Sequence, residues 1–206
     1  MARNIDVLAR NGELRLTAGG ETLLLHTPER PAIFAGRGKE SIKMYRGNFD
    51  VNDRVSERFA LRLSSADGDT LTFTHPDMQG ALTVRITREN GMLRLCGECS
   101  DAGINRIWLR LCAEEGEHVT GGGEQFSALD MRGRLFPIWT REQGVGRNKL
   151  TEITRLADAS DGGGGDYHTT FFPQPTFVSS RMYWAHLENY EYSELDFRAP
   201  DFHEIG

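Results

Sequence analysis

Apolar and polar residues alternate along much of this chain, and the alternating runs end at turn signals. A run over 82–86 leads to Asn90-Gly91, and a second run over 93–95 returns from that turn. Side chains two apart lie on one face of a β-strand, and Asn-Gly is a strong signal for a tight hairpin. Before Gly121 we find no apolar stripe with the period of a helix. The pattern predicts an antiparallel β-sandwich with less than about a tenth of its residues in helices.

The same alternation places individual hairpins along the chain. We expect hairpins over 14–25, 59–73 and 176–187. Prolines and glycines between His26 and Glu40 indicate a connection that holds one short strand. Residues 150–154 are predicted to form a strand or a short helical turn, followed by a glycine-rich loop tip.

The bulk composition limits the classes of function. One large β domain accounts for 206 residues, and a net charge of −6 argues against nucleic acid as a partner. No stretch approaches the roughly 20 apolar residues of a membrane span, and no early apolar run resembles a signal peptide. Three cysteines without a secretion signal favour reduced thiols. We therefore expect a cytoplasmic protein with no membrane partner.

The segment from Gly121 to Lys149 differs from the rest of the chain, because glycine, charged and aromatic residues crowd together there. Its first three residues are glycines, which allow backbone conformations closed to other residues or a close approach to a ligand. Glu124 and Gln125 can hydrogen-bond a polar ligand, and Trp139 can offer a flat face to a sugar ring. Because long loops of this kind are usually functional, we interpret 121–149 as a functional loop that leaves the sandwich as an extended excursion.

Two motifs resemble the amino-terminal domain of glycoside hydrolase family 31, the α-glucosidase family. Gly122-Gly-Glu-Gln-Phe126 is similar to the family's glycine-then-glutamate motif. Phe172-Pro-Gln-Pro-Thr-Phe-Val-Ser-Ser-Arg-Met-Tyr-Trp184 resembles its Pro-aromatic-Ser-Ser-Arg-x-Tyr strand. Within the family, 136–149 and the glycine tract 162–168 look most like the bacterial sulfoquinovosidases.

The resemblance implies a galactose-mutarotase-like β-sandwich, with a catalytic (β/α)₈ barrel expected beyond Gly206. In the family, the nucleophile and the acid/base are aspartates of that barrel. No catalytic residue, metal or other cofactor is therefore expected in this chain, which should be inactive alone. The implied substrate of the whole enzyme is an α-glycoside, with a sulfonated sugar as the narrower expectation. The implied role of this domain is to pack on the barrel and close one side of the pocket, with Glu124, Gln125 and Trp139 at the rim.

Alternatives remain open for these residues and for the whole domain. Glu124 could instead pair with Arg132 or Arg134, and Trp139 could belong to the core. Arg181 is interpreted as structural, bonding a backbone group or a carboxylate where its strand ends. A stand-alone carbohydrate-binding sandwich would use the same loop. A mutarotase-like enzyme would need a His and a Glu that converge on one concave face.

Two further motifs each have a chemical and a structural interpretation. Cys96-x-x-Cys99, Cys112 and His118 have a spacing that zinc sites use, but small buried or edge cysteines are the commoner origin of such a pattern. Gly144-Val-Gly-Arg-Asn-Lys149 resembles a phosphate-binding loop but lacks the Gly-Lys-Ser/Thr ending and its strand–helix context. We interpret this second motif as a turn whose Arg and Lys are solvated or paired.

Overall fold

The computed structural model describes residues 4–45, 48–142 and 144–206 of the chain. Within this part, sixteen strands and one helix follow one another. The elements are β1 (Ile5–Arg10), β2 (Glu13–Ala18), β3 (Glu21–His26), β4 (Ile33–Tyr45), β5 (Asn48–Ala60), β6 (Arg62–Asp67), β7 (Thr70–Thr74), β8 (Ala81–Glu89), β9 (Met92–Cys99), β10 (Arg106–Cys112), β11 (Val119–Gly123), β12 (Leu135–Ile138), α1 (Glu152–Asp161), β13 (Pro173–Ser179), β14 (Tyr183–His186), β15 (Ser193–Asp196) and β16 (Phe202–Ile205).

The chain is all-β, as predicted from the alternation of apolar residues. Strand ladders in the described residues, such as β1 with β2 and β8 with β9, are antiparallel. The helix has 10 residues in a chain of 206, which confirms the predicted helix content of less than about a tenth. Among the described residues, no helix combines the length and the apolar character needed to cross a membrane.

The chain divides into two compact units. Unit 1 comprises residues 1–39, 53–113 and 206, and unit 2 comprises residues 40–52 and 114–205. Strands β4 and β5 therefore both have residues in each unit.

Unit 1 is built from the strands that the alternation predicted best. One sheet has the order β1-β2-β3, a second has the order β6-β7-β8-β9, and the start of β4 pairs with β10. Asn90 and Gly91 both have positive φ, as the predicted tight turn between β8 and β9 requires. The inward-facing side chains include Leu14, Phe73 and Leu82, each at most 1% exposed. The predicted hairpins over 14–25 and 59–73 are confirmed.

His26 at the end of β3 is fully buried in unit 1. Its Nδ1 accepts a hydrogen bond from the backbone N–H of Ala32 at 3.1 Å, and its ring packs edge-on against Phe73. Burial disfavours the charged imidazolium and lowers the pKa of His26 from its ordinary 6.5 to about 4. The folded state therefore holds a neutral imidazole under conditions in which the unfolded chain already binds a proton.

This depressed pKa predicts a loss of stability in weak acid. Because the unfolded state binds the proton first, stability is full above pH 6.5 and falls as the pH drops towards 4. At about 1.4 kcal/mol per pKa unit, the loss from His26 reaches up to about 3 kcal/mol. Urea unfolding of His26→Asn, whose amide oxygen can replace Nδ1 as the acceptor, should show a shallower decline between these pH values. Parallel curves for the variant and the wild type would contradict the prediction.

Unit 2 contains two three-stranded arrangements, β11-β13-β14 and β12-β15-β16. Its core is aromatic, with Phe136, Phe177 and Phe197 all at most 1% exposed. The rings of Phe177 and Phe197 meet edge-to-face at 5.1 Å between centroids. The predicted hairpin over 176–187 is confirmed as β13 and β14.

Four regions differ from the predictions. Strand β1 was not expected, although its apolar residues alternate. Most of β4 and β5 was not expected either, because charged residues on both faces hide the alternation there. The interpretation of 121–149 as one continuous loop was wrong, because β11 ends inside it and all of β12 lies inside it. Glycines and a short Phe-Pro-Ile run concealed these two strands. Residues 152–161 form a full helix rather than a strand or a single turn.

Candidate functional site

Strand β13 lies so close to Gly121 and Gly123 of β11 that larger residues would not fit there. Gly121, Gly122 and Gly123 all have positive φ, and the register with β13 shifts between the first and the last of them. A Cβ on Gly123 would meet the carbonyl oxygen of Phe172 and would lie 2.6 Å from the backbone nitrogen of Gln174. Only glycine therefore allows the two backbones to lie this close.

Glu124 and Gln125 follow directly at the end of β11. The backbone N–H of Glu124 donates to the Phe172 carbonyl at 2.9 Å, and the Gln125 side-chain amide donates to the Gly122 carbonyl at 2.9 Å. The Glu124 side chain is exposed, and within the described ranges its carboxylate forms no hydrogen bond or ion pair. The β11 glycines thus present one open carboxylate beside a partly buried amide.

The two arginines that were considered as partners of Glu124 are engaged elsewhere. Arg132 donates to the carbonyls of Ala199 at 3.0 Å and Pro200 at 3.2 Å. Arg134 donates to the Asp130 carbonyl at 3.0 Å. The alternative that Glu124 pairs with Arg132 or Arg134 is therefore not what the structure shows.

Trp139 lies in a separate aromatic group. It is half-buried after β12, with an edge-on contact to Phe49 at 6.1 Å and a tilted contact to Tyr192 at 6.2 Å between centroids. Its indole nitrogen is buried and, among the residues that the structure describes, has no hydrogen-bond partner. In the same part of the chain we find no hydrogen bond or ring contact that joins Trp139 to Glu124. The structure thus brings Glu124 and Gln125 together but does not link Trp139 to them.

The cations of the phosphate-loop-like segment are used internally. Arg147 donates to the Thr169 carbonyl, and its guanidinium lies 4.7 Å from the centre of the Phe126 ring. Lys149 Nζ lies 2.7 Å from one carboxylate oxygen of Asp158 and 2.9 Å from the other. The hydrogen bond from Lys149 holds the pKa of Asp158 below its ordinary value. These pairs confirm the interpretation of this segment as a turn. A further cation, Arg141, pairs with Asp50 at 3.0 Å.

Unit 2 also contains a buried polar network that sequence analysis missed. Glu117 and His203 side chains are both 0% exposed, and His203 Nε2 lies 3.1 Å from Glu117 Oε1. The hydroxyls of Ser179 and Tyr183 donate to the same oxygen, at 2.5 and 3.2 Å. The backbone N–H of Glu114 donates to the other carboxylate oxygen at 3.0 Å. One carboxylate therefore accepts from three donors and lies against the His203 ring in a closed interior.

The charge state of this network follows from its contacts. Burial alone would raise the pKa of Glu117, but the close contact of His203 and the hydrogen bond from Ser179 outweigh burial and lower the pKa from 4.5 to about 2. His203 Nδ1 faces the Arg132 guanidinium at 3.3 Å, and a guanidinium can only donate. His203 Nδ1 is therefore the acceptor of this contact.

The motif around Arg181 explains part of this network. Arg181 lies just after β13 and pairs with the Glu114 carboxylate at 3.1 Å, which confirms its structural interpretation. Ser179 and Tyr183 of the same Ser-Ser-Arg-x-Tyr motif both reach Glu117. The Ser-Ser-Arg-x-Tyr motif was the sequence signal for this network, but the acceptor Glu117 lies about sixty positions earlier in the chain.

The cysteines do not converge with one another. Cys96 and Cys99 are free and lie three residues apart on β9, an edge strand of its sheet, so their side chains point to opposite faces. His118 instead bonds Asp130 at 2.7 Å. In residues 4–45, 48–142 and 144–206 we find no group of three or more His, Cys, Asp or Glu side chains that could hold a metal ion.

Comparison with known proteins gives three informative relatives, although no protein-family model matches the chain. The chain is 52% identical to the sulfoquinovosidase of Agrobacterium fabrum (strain C58) over 190 residues, covering 92% of this chain and 28% of that protein. It is 44% identical to the sulfoquinovosidase of Escherichia coli (strain K12), covering 89% of this chain and 28% of that protein. Its structure matches a family 31 sulfoquinovosidase from E. rectale with a TM-score of 0.86 and 40% identity, over 97% of this chain and 30% of that one.

These matches define the class of the chain. It is an antiparallel β-sandwich of the type that glycoside hydrolase family 31 enzymes carry as an amino-terminal domain. More narrowly, it is a homologue of the amino-terminal part of sulfoquinovosidases and spans about 28% of the length of the two relatives it matches. The resemblance stated from the sequence motifs is confirmed.

Proposed function

We propose that this chain is the non-catalytic amino-terminal domain of a retaining α-glycosidase of the sulfoquinovosidase type. It packs on the catalytic barrel of the same polypeptide and closes one side of the substrate pocket. The substrate is an α-glycoside whose sugar bears a sulfonate, and the enzyme acts in the cytoplasm. The observation that carries the proposal is the open carboxylate of Glu124, placed by the β11 glycines, in a chain 52% identical to a sulfoquinovosidase.

The chemistry available in the domain supports a role in positioning rather than in bond cleavage. Retaining hydrolysis needs two carboxyl groups about 5–5.5 Å apart. Glu124 is an exposed carboxylate without a hydrogen bond or ion pair among the described residues, whereas Glu117 is closed off from any substrate. At the rim, Glu124 accepts hydrogen bonds from sugar hydroxyls, and Gln125 supplies an amide held by the Gly122 carbonyl. Trp139 forms the apolar part of the rim.

The mutarotase-like alternative receives no support from the site. Its chemistry needs a His and a Glu that a sugar can reach. The His–Glu pair of unit 2, His203 with Glu117, is 0% exposed on both sides and is occupied by structural donors.

A chimera tests the proposed function. We would replace the matching 190 residues of the Agrobacterium fabrum sulfoquinovosidase with this chain and measure nitrophenol release from an α-sulfoquinovoside. The chimera should be active, while the 206-residue chain alone should show no turnover. An inactive but folded chimera, or turnover by the chain alone, would overturn the proposal.

Within the chimera, Glu124→Ala should lower kcat/KM about 10- to 100-fold, the cost of a lost hydrogen bond to a charged group. In the 206-residue chain the same change should leave the melting temperature almost unchanged, because the carboxylate has no partner within the described residues. Glu115→Ala removes another exposed carboxylate and serves as the matched control. Equal kcat/KM for the two variants would remove Glu124 from the rim.

A further inference from the structure

Helix α1 turns a polar side towards its own unit. Thr154 is 0% exposed, and its hydroxyl hydrogen-bonds the Thr151 hydroxyl at 2.8 Å. Four residues later, the Asp158 carboxylate accepts from Lys149 Nζ and from the backbone N–H of Gly164 at 3.0 Å. Residues four apart share one side of a helix, so the inward side of α1 is held by hydrogen bonds and an ion pair.

The outward side of the same helix is apolar. Ile153 and Leu156, three residues apart, are 60% and 64% exposed, and Leu150 just before the helix is 85% exposed. We call these three residues the α1 face. A surface helix of a globular protein normally buries its apolar stripe and exposes its polar side. Helix α1 does the reverse, which indicates that a further surface covers it.

The surroundings of helix α1 indicate which surface covers the α1 face. Lys149 ties α1 to the segment that carries Arg147, and Arg147 in turn contacts Phe126 and the Thr169 carbonyl. Phe126 lies two residues after Glu124, so α1 belongs to the same assembly of loops as the proposed pocket rim. The two sulfoquinovosidases that the chain matches extend well beyond it, because it spans only 28% of their length.

We infer that the α1 face is a surface on which the catalytic barrel of the same polypeptide packs, an inference that rests on the proposed function. The barrel, rather than a second copy of the chain, covers Leu150, Ile153 and Leu156. The contact holds the loops beside Glu124 against the pocket.

The test compares two pairs of apolar-to-acidic changes in unit 2. Ile153→Glu with Leu156→Glu alters the α1 face. The control pair is Met182→Glu with Tyr190→Glu, at residues 75% and 97% exposed outside that face. Both pairs are made in the 206-residue chain and in the active chimera.

In the isolated chain, the α1 pair should leave the melting temperature unchanged and reduce the binding of a hydrophobic dye. In the chimera, the α1 pair should lower the melting temperature by at least about 4 °C and activity about tenfold, while the control pair leaves both unchanged. Equal behaviour of the two pairs in an active chimera would overturn the docking face and leave the proposed function standing. If the chimera without these changes is inactive, but only the α1 pair lowers its melting temperature, the proposed function is overturned and the docking face stands. The isolated chain could instead form a dimer that only the α1 pair dissociates, while the melting temperature and activity of the chimera stay unchanged. That result would overturn the docking face and assign it to a second copy of the chain.

Discussion

Replacing Glu117 by alanine is expected to lower the free energy of unfolding of this chain by about 3–5 kcal/mol, because the groups that donate to its carboxylate lose their acceptor at about 1–3 kcal/mol each. The change removes the carboxylate that accepts from Ser179, Tyr183 and the backbone N–H of Glu114. These donors would then lie in a closed interior with their hydrogen bonds to Glu117 unmade. Chemical denaturation of the 206-residue chain, followed by tryptophan fluorescence, measures the loss.

The matched control is Glu115→Ala, an exposed residue two positions away, which should change stability by less than about 0.5 kcal/mol. Acid adds a second test with Glu117→Gln. Because the folded pKa of about 2 lies below the ordinary 4.5, the stabilisation by the carboxylate is present above pH 4.5 and is lost as the pH falls to 2. The curves of the wild type and Glu117→Gln should therefore converge over this range. A constant gap between them would show that the charge of Glu117 does not stabilise the fold.

Gly123→Ala is expected to be the second most damaging change, with a loss of about 3 kcal/mol or more. Its φ of 82° strains any L residue. In addition, a Cβ there would lie 2.6 Å from Gln174 N and 2.9 Å from the carbonyl carbon of Pro173. Backbone atoms cannot rotate away as a side chain can, so β11 and β13 would have to separate. Thermal unfolding of the 206-residue chain reports the cost.

Gly133→Ala separates the two causes. Gly133 has a similar φ of 77°, but a Cβ there would meet nothing within 4 Å. Its replacement should cost only the about 1–2 kcal/mol of a left-handed L residue. The difference between the two variants therefore measures the steric contact with β13. Equal losses would show that β13 adjusts to the extra methyl group.

The sequence predicted those parts of the fold in which local pattern decides structure. In 82–95, one face of β8 is buried, Leu93 and Leu95 of β9 are half-buried, and Asn90-Gly91 forms the turn, so alternation and turn chemistry agree. In β5, acidic and basic side chains occupy both faces, and in β11 the glycines carry no pattern at all. Those strands exist because a partner strand pairs with them, which a local pattern does not record.

The candidate site was predictable only in part for the same reason. Glu124 and Gln125 were proposed as site residues because a glycine run followed by polar residues is a local signal. The contact of Glu117 with His203 joins residues far apart in the chain, and the residues around either one do not indicate its partner. Helix α1 was not predicted in full because Ile153 and Leu156 are its only large apolar residues, too few to establish a helical period.

The division of the chain also limits how its gene can be rearranged. Unit 2 takes residues 40–52 from the middle of unit 1, and that piece supplies Phe49 to Trp139 and Asp50 to Arg141. A recombination breakpoint at the 113/114 boundary would separate Phe49 from Trp139 and Asp50 from Arg141. Any transferable stretch that keeps unit 2 whole must start by residue 40 and so carries most of unit 1 with it. Recombination should therefore exchange the two units together, and hybrid genes joined between them should yield unstable products.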